Sequence, residues 1–227
     1  MHIENLLRFP EVRSAIIEHY RKGVARAREN YHQHAADEDT VTGGLGERLA
    51  GRGTVRLPTG EDIIWVTSYT RFRSAGPGAA EKRLGGDGVF EIHLFDPAGS
   101  ESRKSLVFQA KNQAARIDRR LTSQARKIAP LPGGGIVINY DPEVYRAVDA
   151  AVVVIGDRES LADGYPLDVA LEEFVLCKRG STAYFYDPLT ESINILSPNG
   201  NVTVQTLPLS HRIRTTITYF ISRQIAL

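Results

Sequence analysis

Apolar residues in the N-terminal part of the chain recur at the spacing of an amphipathic helix. From residue 11 to about 34 they fall three or four positions apart, with arginine, lysine and glutamate between them. The members of this stripe are Val12, Ile16, Ile17, Tyr20, Val24 and Ala27. A second helix is predicted from about Asp37 to Ala50, with Asp37 or Asp39 as its N-cap. The pattern therefore predicts an N-terminal helical segment.

The pattern then changes to alternation, which is the period of a strand with one buried face. Segments 54–57 and 62–69 are rich in β-branched and aromatic residues, and the turn sequence Pro-Thr-Gly separates them. We expect these two segments to pair as a hairpin, followed by a loop over 73–88.

Two apolar strands, a helix and a further apolar strand come next in the sequence. Strands are predicted over 89–95 and 105–110, a helix over about 113–128, and a strand over 135–139. A strand, a helix and a strand in succession form a crossover, which joins parallel neighbours. The expected fold class is α/β, with a central mixed sheet flanked by helices.

The remaining residues predict a smaller set of elements. These are a helix over 142–150 that continues towards 152–155, a helix over 168–177, a hairpin of 183–186 with 193–196, and a closing helix over 213–224. We expect residues 1–150 to hold the N-terminal helices and the core. Residues 151–227 are expected to form a C-terminal extension packed on the same domain.

Composition is that of an ordinary globular protein, with 42% hydrophobic and 24% charged residues. Cys177 is the only cysteine, which excludes a disulfide framework or a cysteine-based zinc site within the chain. The N-terminal residues do not resemble a signal peptide, and the longest apolar stretch, 150–155, is too short to span a bilayer. These features favour a cytoplasmic protein with no membrane partner.

Polar residues stand at the ends of the two central strands. Asp87 precedes one strand within GGDG, and Gln109 and Lys111 close the other within QAK. If these strands pair as a hairpin, the three side chains meet at one end, and alternation puts Gln109 and Lys111 on one face. A carboxylate, an amide oxygen and the Ala110 carbonyl are hard ligands of the kind that Mg²⁺ binds. A metal-bound water beside a lysine would suit phosphodiester hydrolysis.

This ordered set resembles the PD-(D/E)xK nuclease superfamily, whose members have a restriction-endonuclease-like core. GGDG, a strand, and an apolar strand ending in QAK look like the Gln-x-Lys variant of Mrr-type enzymes. The resemblance covers residues 38–140 and implies a Mg²⁺- or Mn²⁺-dependent site. In that site Asp87 and Gln109 would be metal ligands, and Lys111 would be the catalytic lysine.

The same resemblance implies residues outside the two strands. A glutamate on the preceding helix often completes the metal site, with Glu38 as the first candidate and Glu47 as the alternative. Gln124 matches a supporting glutamine on the following helix. The chain departs from the family pattern in two ways, because two residues separate Asp87 from its strand and no proline precedes it. Glu91 is therefore an alternative acidic ligand.

The resemblance also implies an activity and partners. The leading hypothesis is a metal-dependent DNA endonuclease of bacterial genome or anti-phage defence, acting as a homo-oligomer. The alternatives are a catalytically inert, nuclease-like binding or scaffold module, and an RNA-directed nuclease. An activating ligand or partner protein is compatible with each of these hypotheses.

A run of basic residues follows the candidate site. Its members are Arg116, Arg119, Arg120, Arg126 and Lys127. Two interpretations stay open, a solvated helix face and a surface that contacts nucleic-acid phosphates. The net charge of +1 argues against a passive DNA-coating protein but not against a nuclease, since catalytic carboxylates offset basic residues. His93 is interpreted as a satisfied strand residue or as part of the cleft.

Overall fold

A computed structural model describes residues 9–35, 37–72, 86–96, 99–112, 117–156, 161–197 and 199–220. Its helices are α1 (Pro10–Glu29), α2 (Tyr31–His34), α3 (Glu38–Leu49), α4 (Arg119–Ile128), α5 (Ala150–Ile155) and α6 (Leu167–Val175). Its strands are β1 (Gly51–Arg56), β2 (Asp62–Arg71), β3 (Gly88–Phe95), β4 (Glu101–Asn112), β5 (Ile136–Tyr140), β6 (Arg146–Asp149), β7 (Tyr165–Pro166), β8 (Tyr184–Asp187), β9 (Ser192–Leu196), β10 (Val202–Thr206) and β11 (His211–Phe220). None of these helices has the length and apolar composition needed to cross a membrane.

The main sheet has eight strands in the order β1-β2-β11-β3-β4-β5-β6-β7. The pairs β11/β3 and β4/β5 are parallel, and the other neighbouring pairs are antiparallel. Strands β8, β9 and β10 form a separate antiparallel sheet. This architecture confirms the predicted α/β class with a mixed sheet flanked by helices.

The main sheet separates two hydrophobic cores. Phe90 and Ile92 of β3 belong to the core that contains residues of α1, α3 and α6. Val89 belongs to the other core, which α4, α5 and the smaller sheet share. Successive side chains of a strand point to opposite faces, so β3 is covered on both sides. This double burial explains why its sequence is almost continuously apolar.

Several predicted elements are confirmed. The hairpin of β1 and β2, the parallel crossover β4–α4–β5 and the hairpin of β8 and β9 all form. Helix α3 begins after Asp37, whose side chain accepts a hydrogen bond from the Thr40 backbone N–H at 3.1 Å. Of the two predicted N-caps, Asp37 is the one used.

The predicted helix over 142–150 is wrong. Residues Arg146–Asp149 form β6, which pairs with β5, and the helix α5 begins only at Ala150. Within β6, Ala147 and Val148 are both buried but belong to different cores. A segment covered on both faces lacks the polar stripe that distinguishes a strand from a helix in sequence.

The predicted closing helix over 213–224 is also wrong in its described part. Residues His211–Phe220 form β11, which lies between β2 and β3. Ile213, Thr215 and Ile217 are buried at every second position, and this is the period of a strand. The β-branched residues of IRTTIT fit a pleated surface better than a helix.

The C-terminal residues complete the main sheet, because β11 joins β2 to β3. The predicted division at residue 150 stays a prediction. The residues before and after position 150 share one sheet, because β11 lies between β2 and β3.

Candidate active site

Four chain segments meet at one edge of the main sheet. Strands β3 and β11 begin there, while β4 ends there, as the pairing of Gly88 with Phe108 and with His211 requires. Helix α3 begins near the same edge, since Glu38 contacts the end of β4. The edge therefore gathers the predicted site residues of α3, β3 and β4.

Asp87 is held at this edge by the end of β4. Its backbone N–H donates to the Phe108 carbonyl at 2.8 Å, which continues the strand pairing by one residue. Its Oδ2 accepts hydrogen bonds from the Ala110 backbone N–H at 2.7 Å and from Gln109 Nε2. Asp87 and Gln109 are thus in direct contact, as the hairpin predicted.

The Gln109 side chain is fully buried, and one of its atoms is unsatisfied. Its Nε2 donates to Asp87 Oδ2 and to the Ala110 carbonyl, whereas its Oε1 has no partner in the described part of the chain. Buried polar atoms are normally hydrogen-bonded, so this oxygen requires an explanation.

The orientation of the Gln109 amide decides which of its two polar atoms faces Asp87. An amide reversed end for end exchanges its oxygen and nitrogen, and the two are distinguished only by their partners. The reversed amide would direct Oε1 towards Asp87 Oδ2 and the Ala110 carbonyl, so three oxygens would converge. A divalent cation is the partner that makes such a convergence favourable, and oxygen ligands of this kind suit Mg²⁺. The residues present therefore fit a metal.

Lys111 and Glu38 form the second half of the site. Lys111 Nζ lies 3.1 Å from Glu38 Oε1 and 3.3 Å from Oε2. Glu38 Oε2 also accepts from the Asn112 backbone N–H at 3.2 Å, so the helix start is joined to the strand end. Both side chains are partly exposed, at 18% for Lys111 and 30% for Glu38, which leaves the lysine within reach of a substrate.

Asp87 titrates near neutrality. Burial raises its pKa from the ordinary value to about 7, and the negative charge of Glu38 adds to that effect. The hydrogen bond from the Ala110 backbone and the charges of Lys111 and Arg120 oppose the shift without cancelling it. The hydrogen bonds to this carboxylate come from neutral amides and not from a lysine or arginine among the described residues. A carboxylate must lose its proton before it can bind a metal, so the pKa of Asp87 would set the pH at which a metal binds.

The two alternative acids lie elsewhere. Glu47 is exposed on α3, nine positions after Glu38, which corresponds to about 13 Å along a helix. Glu91 is buried further along β3 and accepts hydrogen bonds from Arg212 and Arg214. The structure therefore brings Glu38 to Asp87 and not these two.

Gln124 and a residue that sequence reasoning missed belong to the surroundings of the site. Gln124 is buried on α4, with an Oε1 that has no partner among the described residues, and α4 packs on β4 and β5. Asn139 of β5 pairs in register with Lys111, and its Oδ1 is likewise buried and unpartnered. A polar residue after the apolar run IVI could have signalled Asn139, but only once β4 and β5 were known to be parallel.

A buried histidine, also missed, ties α3 to the strand edge. His211 Nε2 lies 2.7 Å from Asp39 Oδ1, and its Nδ1 lies 2.9 Å from the Tyr69 hydroxyl. Burial, together with the charge of Arg71, lowers the pKa of His211 to about 4, so the ring is neutral. Because a carboxylate only accepts, Nε2 donates to Asp39 and Nδ1 accepts from Tyr69.

His211 also connects to the site through its backbone. Its N–H donates to the Asp87 carbonyl at 3.0 Å. Its side-chain partner Asp39 is the neighbour of Glu38 in α3. Through these contacts His211 positions Asp87 directly and Glu38 by way of Asp39.

The basic run is only partly described. Arg119, Arg120 and Lys127 are exposed on α4, and Arg116 lies outside the described residues. Arg120 is near enough to lower the pKa of Asp87, so the start of α4 faces the site. Lys127 stands in the last turn of that helix, away from its start.

The site offers two carboxylates and one amide as metal ligands. Within the described ranges, no cluster of three or more His, Cys, Asp or Glu residues could hold a metal ion. A metal at this site would therefore have a mixed set of ligands, in which the Gln109 amide and the Ala110 carbonyl replace further acids. Comparisons with protein-family models, curated proteins and solved structures each give no significant match for this chain.

Proposed function

We propose that this protein is a metal-dependent nuclease that hydrolyses phosphodiester bonds at the edge formed by β3 and β4. The observation that carries the proposal is the contact of the Gln109 amide with both Asp87 Oδ2 and the Ala110 carbonyl. With the amide reversed, Gln109 Oε1 is the atom that a cation would engage.

Asp87, Gln109 and the Ala110 carbonyl would hold Mg²⁺ or Mn²⁺, with Glu38 as a further ligand. A bound divalent cation polarises a phosphate oxygen and lowers the pKa of a bound water. Glu38 orients Lys111. The lysine ammonium would then donate hydrogen bonds to the phosphate oxygens as negative charge develops on them. Glu38 keeps the lysine ammonium at the end of β4, close to Asn112.

DNA is the proposed substrate. Exposed Arg119 and Arg120 at the start of α4 can contact backbone phosphates beside the cleavage site. The choice of DNA over RNA, a role in bacterial or anti-phage defence, a homo-oligomeric state and control by an activating ligand or partner all rest on the family resemblance. They form part of the same proposal.

A catalytically inert binding module is the second candidate. It is favoured by the small number of acids at the site, because Asp87 and Glu38 are the carboxylates that meet there. In such a module the Lys111–Glu38 pair would serve only to fasten α3 to β4.

The test is cleavage of supercoiled plasmid by the full chain in Mg²⁺ or Mn²⁺, with and without EDTA. Lys111→Met removes the ammonium but keeps the length of the side chain, and Lys178→Met, at an exposed position, is its matched control. We expect a loss of cleavage of about 100-fold or more for Lys111→Met and none for Lys178→Met. Equal cleavage by Lys111→Met and wild type would refute the site.

Failure of wild-type protein to cut would instead favour the inert module. A parallel assay with single-stranded RNA under the same conditions separates the DNA-directed from the RNA-directed enzyme. Cleavage of RNA alone would transfer the proposal to that substrate.

A further inference from the structure

A second polar site lies on the main sheet, away from the Asp87 edge. Its walls come from β3, β4 and β11 and from β8 with the turn that follows it, and its volume is about 350 Å³. Small ligands commonly occupy pockets of this size. None of the residues proposed for cleavage lines it. We call it the arginine pocket.

Three arginines line the arginine pocket, and two of them form hydrogen bonds with a buried acid. Buried Glu91 accepts a hydrogen bond from Arg212 Nε at 2.5 Å and from Arg214 Nε at 3.3 Å. The terminal N–H groups of these two guanidiniums make no further hydrogen bond within the described part of the chain. A guanidinium carries five N–H donors, so most of its capacity remains for a ligand. The third arginine is Arg103.

The acidic groups of the pocket, by contrast, already have partners. Glu101 accepts from Arg103 Nη2 at 2.6 Å through one oxygen and lies 2.6 Å from His93 Nδ1 through the other. Asp187 accepts from the Leu189 backbone N–H and from the Thr190 hydroxyl. The terminal N–H groups of Arg212 and Arg214 therefore remain as the donors that suit a ligand with anionic oxygens.

One buried ring of the pocket lies between two carboxylates. His93 is 4% exposed and lines the pocket, with Nδ1 2.6 Å from Glu101 Oε1 and Nε2 3.5 Å from Glu91 Oε2. This ring therefore faces acids of the protein, and the donors that remain for a ligand are the guanidiniums of Arg212 and Arg214.

Aromatic side chains complete the lining. Phe95, Phe185 and Tyr186 border the pocket, and the Arg103 guanidinium lies 5.3 Å from the centre of the Phe185 ring. Aromatic faces and guanidinium planes both accept planar rings by stacking. A ligand with an anion and a flat ring meets both requirements.

We propose that the arginine pocket binds a free nucleotide. The phosphate lies against Arg212 and Arg214, and the base lies against Phe95 or Phe185. The proposal does not depend on cleavage at Asp87, since the two sites share no residue.

The experiment is isothermal titration calorimetry of the full chain with AMP, GMP, CMP and UMP in the presence of EDTA. Inorganic phosphate, adenosine and an unphosphorylated oligothymidine are titrated in parallel. We expect at least one mononucleotide to bind with a Kd below about 1 mM, and about tenfold more tightly than phosphate or adenosine. Arg214→Gln should weaken that binding about tenfold, whereas Arg52→Gln, on an exposed position of β1, should leave it unchanged.

Three results would overturn the proposal. They are no mononucleotide binding below about 1 mM, phosphate or the oligonucleotide binding as tightly as every mononucleotide, or unchanged binding by Arg214→Gln. Thermal melting checks that each variant is folded. If Arg214→Gln does not fold, Arg103→Gln replaces it, because its more exposed guanidinium contacts only the pocket residues Glu101 and Phe185.

Discussion

Strand β3 carries the buried acid Glu91 and directly follows the half-buried acid Asp87, and the surroundings of these two acids differ sharply. Glu91 accepts from the guanidiniums of Arg212 and Arg214, so positive charge lies directly against it. Asp87, just before the same strand, receives its hydrogen bonds from the neutral amides of Gln109 and Ala110. The pKa of Asp87 is raised to about 7, first by burial and then by Glu38.

The fold balances the charge of Glu91 with two arginines, whereas it gives Asp87 hydrogen bonds from neutral amides. A buried carboxylate without a cation is costly, and proteins usually avoid it unless the group has a task. At the Asp87 edge, three oxygens can turn towards one point, and the proposed cation binding would be that task. At Glu91, the acid instead orients arginines.

Removal of the Glu91 charge should give the largest loss of stability. Glu91→Gln leaves Arg212 and Arg214 without their shared counter-charge, and breaking a buried ion pair from one side costs about 3 kcal/mol. The measurement is urea unfolding, with exposed Glu143→Gln as the matched control. A loss no larger than that of the control would mean that solvent, and not Glu91, balances the two arginines.

Removal of the Asp87 charge should have the opposite effect. A folded pKa of about 7 exceeds the unfolded value, so the native state binds more protons between these two values. The free energy of unfolding must therefore fall as pH rises through that window. Asp87→Asn abolishes this fall and should stabilise the protein by up to about 4 kcal/mol at about pH 8.

The check is unfolding of both proteins at about pH 5 and about pH 8 in EDTA. Asparagine Oδ1 in the place of Asp87 Oδ2 can still accept from the Ala110 backbone N–H and from Gln109 Nε2, so packing is preserved. Destabilisation of Asp87→Asn at the higher pH would make Asp87 a structural residue and remove the contrast with Glu91.

A smaller effect is expected where His211 supports the Asp87 edge. His211→Phe keeps a flat ring but removes the hydrogen bonds to Tyr69 and to Asp39, which keeps its pairing with Arg71, at a cost of about 2 kcal/mol. Tyr69→Phe removes only one hydrogen bond and should cost about 1 kcal/mol. If His211 positions the acids, His211→Phe also slows plasmid cleavage more than Tyr69→Phe does. Equal cleavage by the two variants would limit His211 to a role in stability.

The residues of the Asp87 edge were largely accessible from the sequence, because local order places them. Alternation and a hairpin suffice to bring Asp87 to Gln109 and to put Lys111 on the same face. Glu38 came from the family resemblance, since no local rule connects a helix start to a strand 70 residues later.

The missed features depend on long-range pairing. Strand β11 joins the sheet between β2 and β3, and its segment was interpreted as a helix although its burial alternates as in a strand. His211 reaches Asp39 across 172 positions, and Arg212 reaches Glu91 across 121. Such contacts leave no period in the sequence, so both His211 and the arginine pocket were found only in the fold.

The most direct test of the cation site is a calorimetric titration of the full chain with Mn²⁺ above the pKa of Asp87. Wild type and Asp163→Asn, an exposed control, are expected to bind Mn²⁺ with a Kd below about 1 mM. Asp87→Asn should bind at least about tenfold more weakly, since it loses the charged ligand. Equal binding by Asp87→Asn and wild type, or no binding by wild type, would contradict a cation site at Asp87.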